Sequence, residues 1–451
     1  MTYHFVGVGG IGMSAIARIL RARSIDVRGS DVSATPLVEQ LRDEGIAVTI
    51  GHAAPNVAGA DVVVVSSAID RNNPEYAAAV RNQIRVLHRG EMLAELLRAR
   101  RGVAICGTHG KTTTSAMTHA VLRAGGIDAG LVLGGIDGIL DTNAYDGTSP
   151  WFVTEADESD GSFALLEPEL AIVTNLENDH LSSDDELPGL VRAFGEFLAK
   201  LPDRGLAIVG VDNELSASLT DHELRAGLVT FGLAPGARIR AENLTFANFG
   251  AIFDAFEGTR KLGRVELRVP GAMNVQNALA AVAVGCALEV PFEQIAAGLR
   301  GFRGVRRRFD VLLSNERMTI VDDYAHHPTA VRATIAAARH YHRGELIVAF
   351  QPHRYSRTAY LAADFADALR GADRVYLTPV YAASEPAIPG VSERSIGDSL
   401  GNGGARVDYV GGVEELEQRI LAEAPPGALV LMLGAGNITE AAARLAELAR
   451  G

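Results

Sequence analysis

The amino-acid sequence predicts an α/β protein with three domains whose mostly parallel sheets are covered by helices. Short apolar runs typical of buried strands recur along the chain, helical patterns alternate with them, and many of the 48 glycines punctuate the turns between the two. We expect the domains at residues 1–101, 102–305 and 306–451. At roughly 100–200 residues per domain, 451 residues suffice for three separate cores.

The strands are predicted from continuous apolar runs, because strands buried on both faces of a parallel sheet do not alternate in polarity. Residues 238–269 alternate instead, which predicts a small insert of antiparallel strands in the central domain. The clearest apolar runs are residues 4–8, 61–65, 102–106, 151–154 and 171–174, followed by 319–321, 346–350, 374–377 and 428–432.

The composition is that of a globular protein and excludes several classes of function. Apolar residues make up 47% and charged residues 22%, so the chain is not disordered. The net charge of −13 argues against nucleic acid or an anionic membrane as the main partner. Cys106 and Cys286 cannot form a disulfide framework. Since Met1–Leu20 lacks a basic leader and Ala278–Leu288 is too short to span a bilayer, we expect a cytoplasmic protein without membrane insertion.

A glycine-rich segment opens the first domain. Gly7–Gly12 has the G-x-G-x-x-G spacing directly after a predicted strand, and Asp31 follows at the distance of a ribose-binding acid. This pattern predicts a Rossmann-like domain that binds a diphosphate near a helix N-terminus. Dinucleotide cofactors and nucleotide sugars both carry a diphosphate, so the motif leaves the ligand open.

The strongest local signal is Gly107–Thr113, which lies between a predicted strand and a helix and predicts a P-loop ATPase-like central domain. Small residues let backbone N–H groups converge on phosphate oxygens at a helix N-terminus. In this position Lys111 neutralises phosphate charge and Thr112 reaches Mg²⁺. The usual first glycine of the motif is replaced by Ile105.

Two polar segments follow predicted strands of the central domain, at residues 155–160 and 175–180. Ligands of open α/β sheets bind at the carboxyl ends of strands, so Glu155 and His180 are candidates for holding a metal ion or phosphate. The alternative is that such residues are solvated turn or capping groups.

The last domain, which we expect to be Rossmann-like as well, has two polar segments at the ends of predicted strands. They are Asp322–Pro328 and Gln351–Thr358, and the second contains one histidine and two arginines within eight residues. Arginine pairs with carboxylates through two parallel hydrogen bonds, so this segment is a candidate clamp for a carboxylate or phosphate. Exposed surface charge is the alternative interpretation of both segments.

Together these motifs, in this order and over essentially the whole chain, resemble the Mur ligases, cytoplasmic ATP-dependent amide ligases that build the peptide stem of peptidoglycan. The resemblance implies ligation of L-alanine to the lactyl carboxylate of UDP-N-acetylmuramate through an acyl phosphate, with ATP and Mg²⁺ and without nucleic acid. The family also shows the short P-loop with a residue such as Ile105.

The resemblance assigns a role to each matching residue, with catalysis centred on Lys111, Glu155 and His180. The family commonly has histidine where this chain has Met273, next to the segment that contacts adenine. By resemblance, ATP is bound by Gly107, Thr108, His109, Gly110, Lys111, Thr112, Thr113, Asn274, Asn277 and Asp323; magnesium by Thr112, Glu155 and His180; the UDP-sugar by Gly9, Gly10, Ile11, Gly12, Ser30, Asp31, His52 and Ser67; and the amino acid by His353, Arg354 and Arg357.

Three alternatives stay open at this point. A ligase of cell-wall recycling would attach a whole tripeptide to the same UDP-sugar. The arginines of the last domain would read only a carboxylate and so do not distinguish alanine from glycine or serine. A nicotinamide-dependent oxidoreductase would use Gly7–Gly12 and Asp31 but would leave the P-loop unexplained. A nucleotide-sugar sensor without activity would have no need of Lys111 and Glu155. The oligomeric state is not predicted.

Overall fold

The computed structural model describes residues 1–157, 161–178, 186–401 and 405–450. In these residues the strands form three sheets of five, ten and six strands, which confirms the predicted α/β class and three-domain architecture. The chain divides into two compact units. Unit 1 comprises residues 1–242, 254–265 and 276–302, and unit 2 comprises residues 243–253, 266–275 and 303–451.

The first domain is a parallel sheet in the order β3-β2-β1-β4-β5, as predicted for a Rossmann-like fold. The strand order reverses at β1, and ligands of such sheets bind in the crevice outside the carboxyl ends of the strands at this switch point. The elements are β1 Thr2–Val6, α1 Ile11–Ala22, β2 Asp26–Asp31, α2 Pro36–Asp43, β3 Ala47–Ile50, β4 Val62–Val65, α3 Pro74–Arg81, β5 Arg85–His88 and α4 Arg89–Arg98.

The central sheet has the order β15-β14-β13-β12-β11-β10-β6-β9-β7-β8. Strands β13–β15 lie where the β insert is predicted and continue this sheet beyond β12. None of the described helices is long and apolar enough to cross a membrane. The strands are β6 Arg101–Cys106, β7 Gly130–Val132, β8 Ala144–Tyr145, β9 Trp151–Glu155, β10 Leu170–Val173, β11 Leu206–Gly210, β12 Gly227–Gly232, β13 Ile239–Ala247, β14 Gly250–Glu257 and β15 Arg260–Leu267, and the helices are α5 Lys111–Ala124, α6 Leu187–Ala199, α7 Glu214–Ala217, α8 Ala272–Ala287 and α9 Phe292–Gly301.

The last sheet has the order β16-β17-β21-β18-β19-β20, with β16 antiparallel to β17 and the other pairs parallel. Successive residues of β18 belong to the cores on opposite faces, Val348 to one and Ile347 and Ala349 to the other, so the strand is a continuous apolar run. The elements are β16 Asp310–Ser314, β17 Met318–Asp323, α10 Pro328–Tyr341, β18 Leu346–Phe350, α11 Tyr355–Leu369, β19 Arg374–Leu377, α12 Glu393–Leu400, β20 Arg406–Tyr409, α13 Val413–Glu423, β21 Ala428–Leu433 and α14 Ile438–Leu448.

A buried polar network joins the first and central domains within unit 1. Arg18 on α1 is 8% exposed, donates to both carboxylate oxygens of Glu44, and donates to Oδ1 of Asn143 at 2.6 Å. The amide nitrogen of Asn143, just before β8, donates to the carbonyl of Ile11 at 2.7 Å and to Oγ of Ser14 at 2.9 Å. Each polar group of this domain-joining network has a partner, which is the condition for burying a guanidinium without a large cost.

Candidate functional site

The phosphate loop leaves β6 at Gly107 and enters α5 at Lys111. Gly107 and Gly110 have φ values of +113° and +85°, a region that favours glycine. A Cβ at Gly107 would lie 2.4 Å from Oγ1 of Thr174, and a Cβ at Gly110 would lie 2.5 Å from Oδ1 of Asn277. Both glycines are therefore required by backbone conformation and by lack of space.

Residues that follow β10 hold this loop in place. Oγ1 of Thr174 donates to the His109 carbonyl at 2.7 Å, and Oδ1 of Asn175 accepts from the His109 N–H at 2.9 Å. The Glu177 N–H donates to Oγ1 of Thr108 at 2.9 Å. Sequence analysis assigned no function to Thr174 or Asn175, although the polar segment after the strand was the signal that could have found them.

Two of the predicted magnesium ligands, on the loop and at the end of β9, are in contact, and the predicted catalytic lysine lies against the loop backbone. Nζ of Lys111 donates to the Gly107 carbonyl at 2.6 Å, and Oγ1 of Thr112 donates to Oε2 of Glu155 at 3.0 Å. The backbone N–H of Gly134 donates to Oε1 of Glu155. A hydroxyl and a carboxylate in contact beside a phosphate loop are oxygen ligands of the kind that Mg²⁺ prefers. The third predicted metal ligand, His180, and residues 158–160 lie outside the described residues.

The two asparagines matched to the adenine segment have different contacts. Oδ1 of Asn277 accepts from Oγ1 of Thr114 at 3.1 Å and lies against Gly110, so this side chain contacts the phosphate loop itself. Nδ2 of Asn274 donates to the Pro270 carbonyl at 2.7 Å. An adenine contact by either residue stays a prediction.

The residues predicted to bind the UDP-sugar line the carboxyl edge of the first sheet. The Gly9 N–H donates to Oδ2 of Asp31 at 2.8 Å, which ties the glycine loop, with Gly10, Ile11 and Gly12 behind it, to the end of β2. His52 follows β3, and Ser67 follows β4 with its Oγ 3.0 Å from Nε2 of His88. The structure thus places predicted residues on both sides of the switch point.

Asp323, predicted to contact the nucleotide, is buried at the end of β17 in unit 2. Burial raises the pKa of its carboxyl group above the ordinary range, against the opposing effects of Arg308 and of backbone hydrogen bonds. Its Oδ2 accepts from the Phe309 N–H at 2.7 Å, and its Oδ1 accepts from the Ala325 N–H at 2.8 Å. Both oxygens therefore fix the backbone around β17, and a nucleotide contact stays a prediction.

The predicted amino-acid clamp lies at the start of α11. Arg354 has φ +70°, an uncommon value for a non-glycine residue, and its N–H donates to the Tyr381 carbonyl at 2.8 Å. Arg357 lies in the first turn of α11, so both cations are at a helix N-terminus, where a carboxylate is favoured. His353 is stacked on Tyr381 with ring centres 5.7 Å apart.

Sequence analysis assigned no role to two arginines that lie over one aromatic ring in unit 2. The guanidinium carbons of Arg307 and Arg308 are 4.8 and 4.9 Å from the ring centre of Tyr324. Arg307 also donates to the Gly434 carbonyl at 3.0 Å. This cation–π arrangement adds positive charge beside the segment that follows β17.

The environment of His353 predicts a pH dependence of stability. Burial, together with the charges of Arg357 and Arg354, lowers the pKa of His353 to about 4, against an ordinary value of 6.5. As the pH falls, the unfolded chain therefore takes up a proton at His353 near pH 6.5, whereas the folded chain takes it up only near pH 4. The free energy of unfolding has its full value above pH 6.5. It falls by at most about 3 kcal/mol as the pH decreases towards 4.

Urea unfolding between pH 7.5 and pH 4.5 measures this loss. The H353Q variant, which cannot titrate at this position, serves as the reference. We expect the stability advantage of the natural chain over H353Q to shrink as the pH falls. Two curves that stay parallel over the whole range would contradict the assigned cause.

Comparison with known proteins gives matches over the whole chain. Three consecutive family models match: Mur ligase family, catalytic domain, at residues 2–101; Mur ligase middle domain at residues 105–285; and Mur ligase, glutamate ligase domain, at residues 307–436. The UDP-N-acetylmuramate–L-alanine ligase of Geotalea uraniireducens is 43% identical over 449 residues, 99% of this chain and 98% of that one. The enzyme of the same name from Acidithiobacillus ferrooxidans is 44% identical over 450 residues, 98% of this chain and 96% of that one.

Solved structures agree with these matches. The UDP-N-acetylmuramate-alanine ligase of Thermotoga maritima superposes with a TM-score of 0.87 at 31% identity, covering 100% of this chain and 99% of that one. A murein peptide ligase from Psychrobacter arcticus has a TM-score of 0.75 at 23% identity, covering 99% of this chain and 98% of that one, a likeness that shows a shared fold alone.

Proposed function

The chain belongs to the Mur ligase family, and we propose that it joins L-alanine to UDP-N-acetylmuramate in peptidoglycan precursor synthesis, with ATP cleaved to ADP and phosphate. The observation that carries this proposal is the 43–44% identity to L-alanine ligases over nearly the full length of both chains. The murein peptide ligase, which represents the recycling alternative, is 23% identical. The oxidoreductase alternative leaves the phosphate loop without a use.

The chemistry accounts for the two nucleotide sites. A carboxylate is a poor electrophile, so its oxygen first attacks the γ-phosphorus of ATP, the bond to the β-phosphate oxygen breaks, and ADP leaves. The amine of alanine then attacks the carbonyl carbon of the acyl phosphate and loses a proton, and phosphate leaves as the amide forms. Most of the catalysis is positioning and charge neutralisation, for which the loop N–H groups and Lys111 are suited.

The contacting pair of Thr112 and Glu155 fits a magnesium ion, because both offer oxygen atoms beside the phosphate loop. Bound there, Mg²⁺ would neutralise charge on the transferred phosphate. His180 stays a predicted ligand outside the described residues. The Thr112 hydroxyl and the Gly134 N–H hold the Glu155 carboxylate in position.

The start of α11 is the proposed site for the amino acid. Arg354 and Arg357 would bind its α-carboxylate, and neutral His353 adds no further charge there. These groups recognise any α-amino acid equally, so the selection of alanine is proposed from the relatives alone. We also propose a cytoplasmic location, consistent with two cysteines that form no disulfide.

ADP release in the presence of Mg-ATP and UDP-N-acetylmuramate tests the function. L-alanine should support turnover at least tenfold more efficiently than glycine or L-serine, and L-alanyl-γ-D-glutamyl-meso-diaminopimelate should support none. Turnover with the tripeptide alone would move the protein to cell-wall recycling. No ADP release with any of the four acceptors would reject the ligase assignment.

A further inference from the structure

A fully buried carboxylate lies beneath the predicted UDP-sugar residues of the first domain. Glu75, on α3, is 0% exposed, and it has no part in the reaction described so far. Its Oε2 accepts from Nε2 of His4 at 2.9 Å and from Oγ of Ser30 at 2.6 Å. Its Oε1 accepts from Nδ2 of Asn56 at 2.6 Å and from the Ala53 N–H at 3.2 Å. Four donors thus converge on one anion.

Glu75 is ionised in the folded protein. Burial on its own would raise its pKa, but hydrogen bonds from His4, Ser30 and Asn56 outweigh burial and lower the pKa to about 2. An ionised carboxylate can only accept hydrogen bonds. Every polar hydrogen that faces Glu75 must therefore belong to its partner.

This condition fixes the proton on the neighbouring histidine. Ser30 has one hydroxyl hydrogen, and at 2.6 Å from Oε2 of Glu75 that hydrogen must lie between the two oxygens. Nδ1 of His52 lies 3.0 Å from the same Oγ and 3.6 Å from Oε1 of Glu75. Nδ1 must then be the donor to Oγ of Ser30. The neutral imidazole with its single N–H at Nδ1 has a lone pair at Nε2, which can accept a hydrogen bond.

The position of His52 in the sheet indicates which part of a ligand could donate a hydrogen bond to Nε2. In Rossmann-like sheets the acid at the end of β2 binds the ribose, and Asp31 occupies this position. His52 follows β3, the strand next to β2 on the outer side of the sheet. Within the described part of the chain, the hydrogen bonds to His52 reach only Nδ1, which leaves Nε2 for a ligand.

We propose that Glu75, acting through Ser30, holds His52 in the Nδ1–H tautomer so that Nε2 accepts a hydrogen bond from N3–H of uracil. Uracil carries a hydrogen at N3, whereas N3 of cytosine is a bare acceptor that would face the lone pair of His52. Glu75 and Ser30 are thus positioning residues that select the base. The inference rests on the proposed function, since it requires the UDP-sugar to occupy this crevice.

The first test compares three nucleotides by calorimetry: UDP, UDP methylated at N3, and CDP. UDP should bind at least tenfold more tightly than either of the others, the factor that loss of one such hydrogen bond gives. Equal binding of UDP and the methylated nucleotide would overturn the inference while leaving the ligase function intact. Failure to bind UDP, with ATP binding retained, would overturn both.

The second test reads the tautomer directly by two-bond ¹H–¹⁵N NMR of histidine side chains at pH 8.5, with the His52 signals identified by their loss in H52Q. The natural protein should show His52 protonated at Nδ1. The S30A variant removes the hydroxyl that links Glu75 to His52, and it should shift His52 to the Nε2–H form. Its preference for UDP over the methylated nucleotide should fall below about threefold.

A matched variant distinguishes the specific effect of losing the Ser30 hydroxyl from the general effect of losing a buried hydroxyl. Ser216 is also fully buried, and its Oγ donates to the Gly210 carbonyl at 2.7 Å in the central domain. S216A should keep both the tautomer of His52 and the base preference. E75Q should behave as S30A does, and S30A remains informative if E75Q does not fold. A His52 that is protonated at Nε2 in the natural protein, or a base preference that survives in S30A, would overturn the inference.

Discussion

Replacement of Lys111 by alanine should lower kcat by about a hundredfold to a thousandfold, with folding and UDP-sugar binding unchanged. Lys111 is the first residue of α5, and its Nζ donates a hydrogen bond to the Gly107 carbonyl of the phosphate loop at 2.6 Å. It is therefore placed to neutralise the charge that develops on the transferred phosphate, and one such stabilising group accounts for a factor of this size. ADP release at saturating substrates measures it.

The matched control is K261A, which removes a lysine that pairs with Asp254 at 2.8 Å on the β insert. K261A should leave kcat within twofold of the natural value, because an exposed ion pair contributes little. A K111A variant that is as active as K261A would remove the phosphate loop from the mechanism.

Gly110→Ala should lower ATP-dependent turnover by at least a hundredfold. The new Cβ would meet φ +85° and would lie 2.5 Å from Oδ1 of Asn277, so the loop or the Asn277 side chain that contacts it must shift, by about an ångström. Displacement of a catalytic group on this scale costs about two orders of magnitude in rate. Steady-state kinetics in ATP, with UDP binding measured separately, would locate the defect in the central domain.

Gly59→Ala provides the comparison for this variant. Gly59 has φ +73°, so alanine experiences similar backbone strain, but nothing lies within 4 Å of the position of its Cβ. G59A should therefore lose only about 1 kcal/mol of stability and retain its activity. Similar activity losses in G59A and G110A would mean that strain rather than contact with Asn277 is responsible.

Sequence patterns predicted the site where its residues are close along the chain. The spacing of Gly107–Thr113 after an apolar run predicted a strand, a turn and a helix, and the structure has all three because they form locally. The structure places α5 at Lys111–Ala124, directly after this segment begins, as predicted. The apolar runs 346–350 and 374–377 coincide with β18 and β19. Short strands such as β3 and β20 were missed because polar residues interrupt them and none of their residues is fully buried, so they give no continuous apolar run.

The residues that sequence analysis missed act over long separations. Glu75 is 71 residues from His4 and 45 residues from Ser30, and it reaches them only once α3 has packed on the sheet. A glutamate after a proline at the start of a helix looks like an ordinary solvated first-turn acid. The burial of Glu75 results from tertiary packing, which no local sequence pattern predicts. The domain boundaries and the roles of individual site residues likewise stay predictions.

The domain-joining network has a consequence for chimeric proteins. A hybrid cut at residue 101 would separate Arg18 from Asn143, which lies 125 residues further along the chain. If the first domain were joined to the central domain of a relative that lacks an amide at the position of Asn143, the buried guanidinium of Arg18 would lose this partner, at a cost of about 3–5 kcal/mol. The first two domains should therefore be exchanged together in a hybrid, because Arg18 and Asn143 belong to the same compact unit.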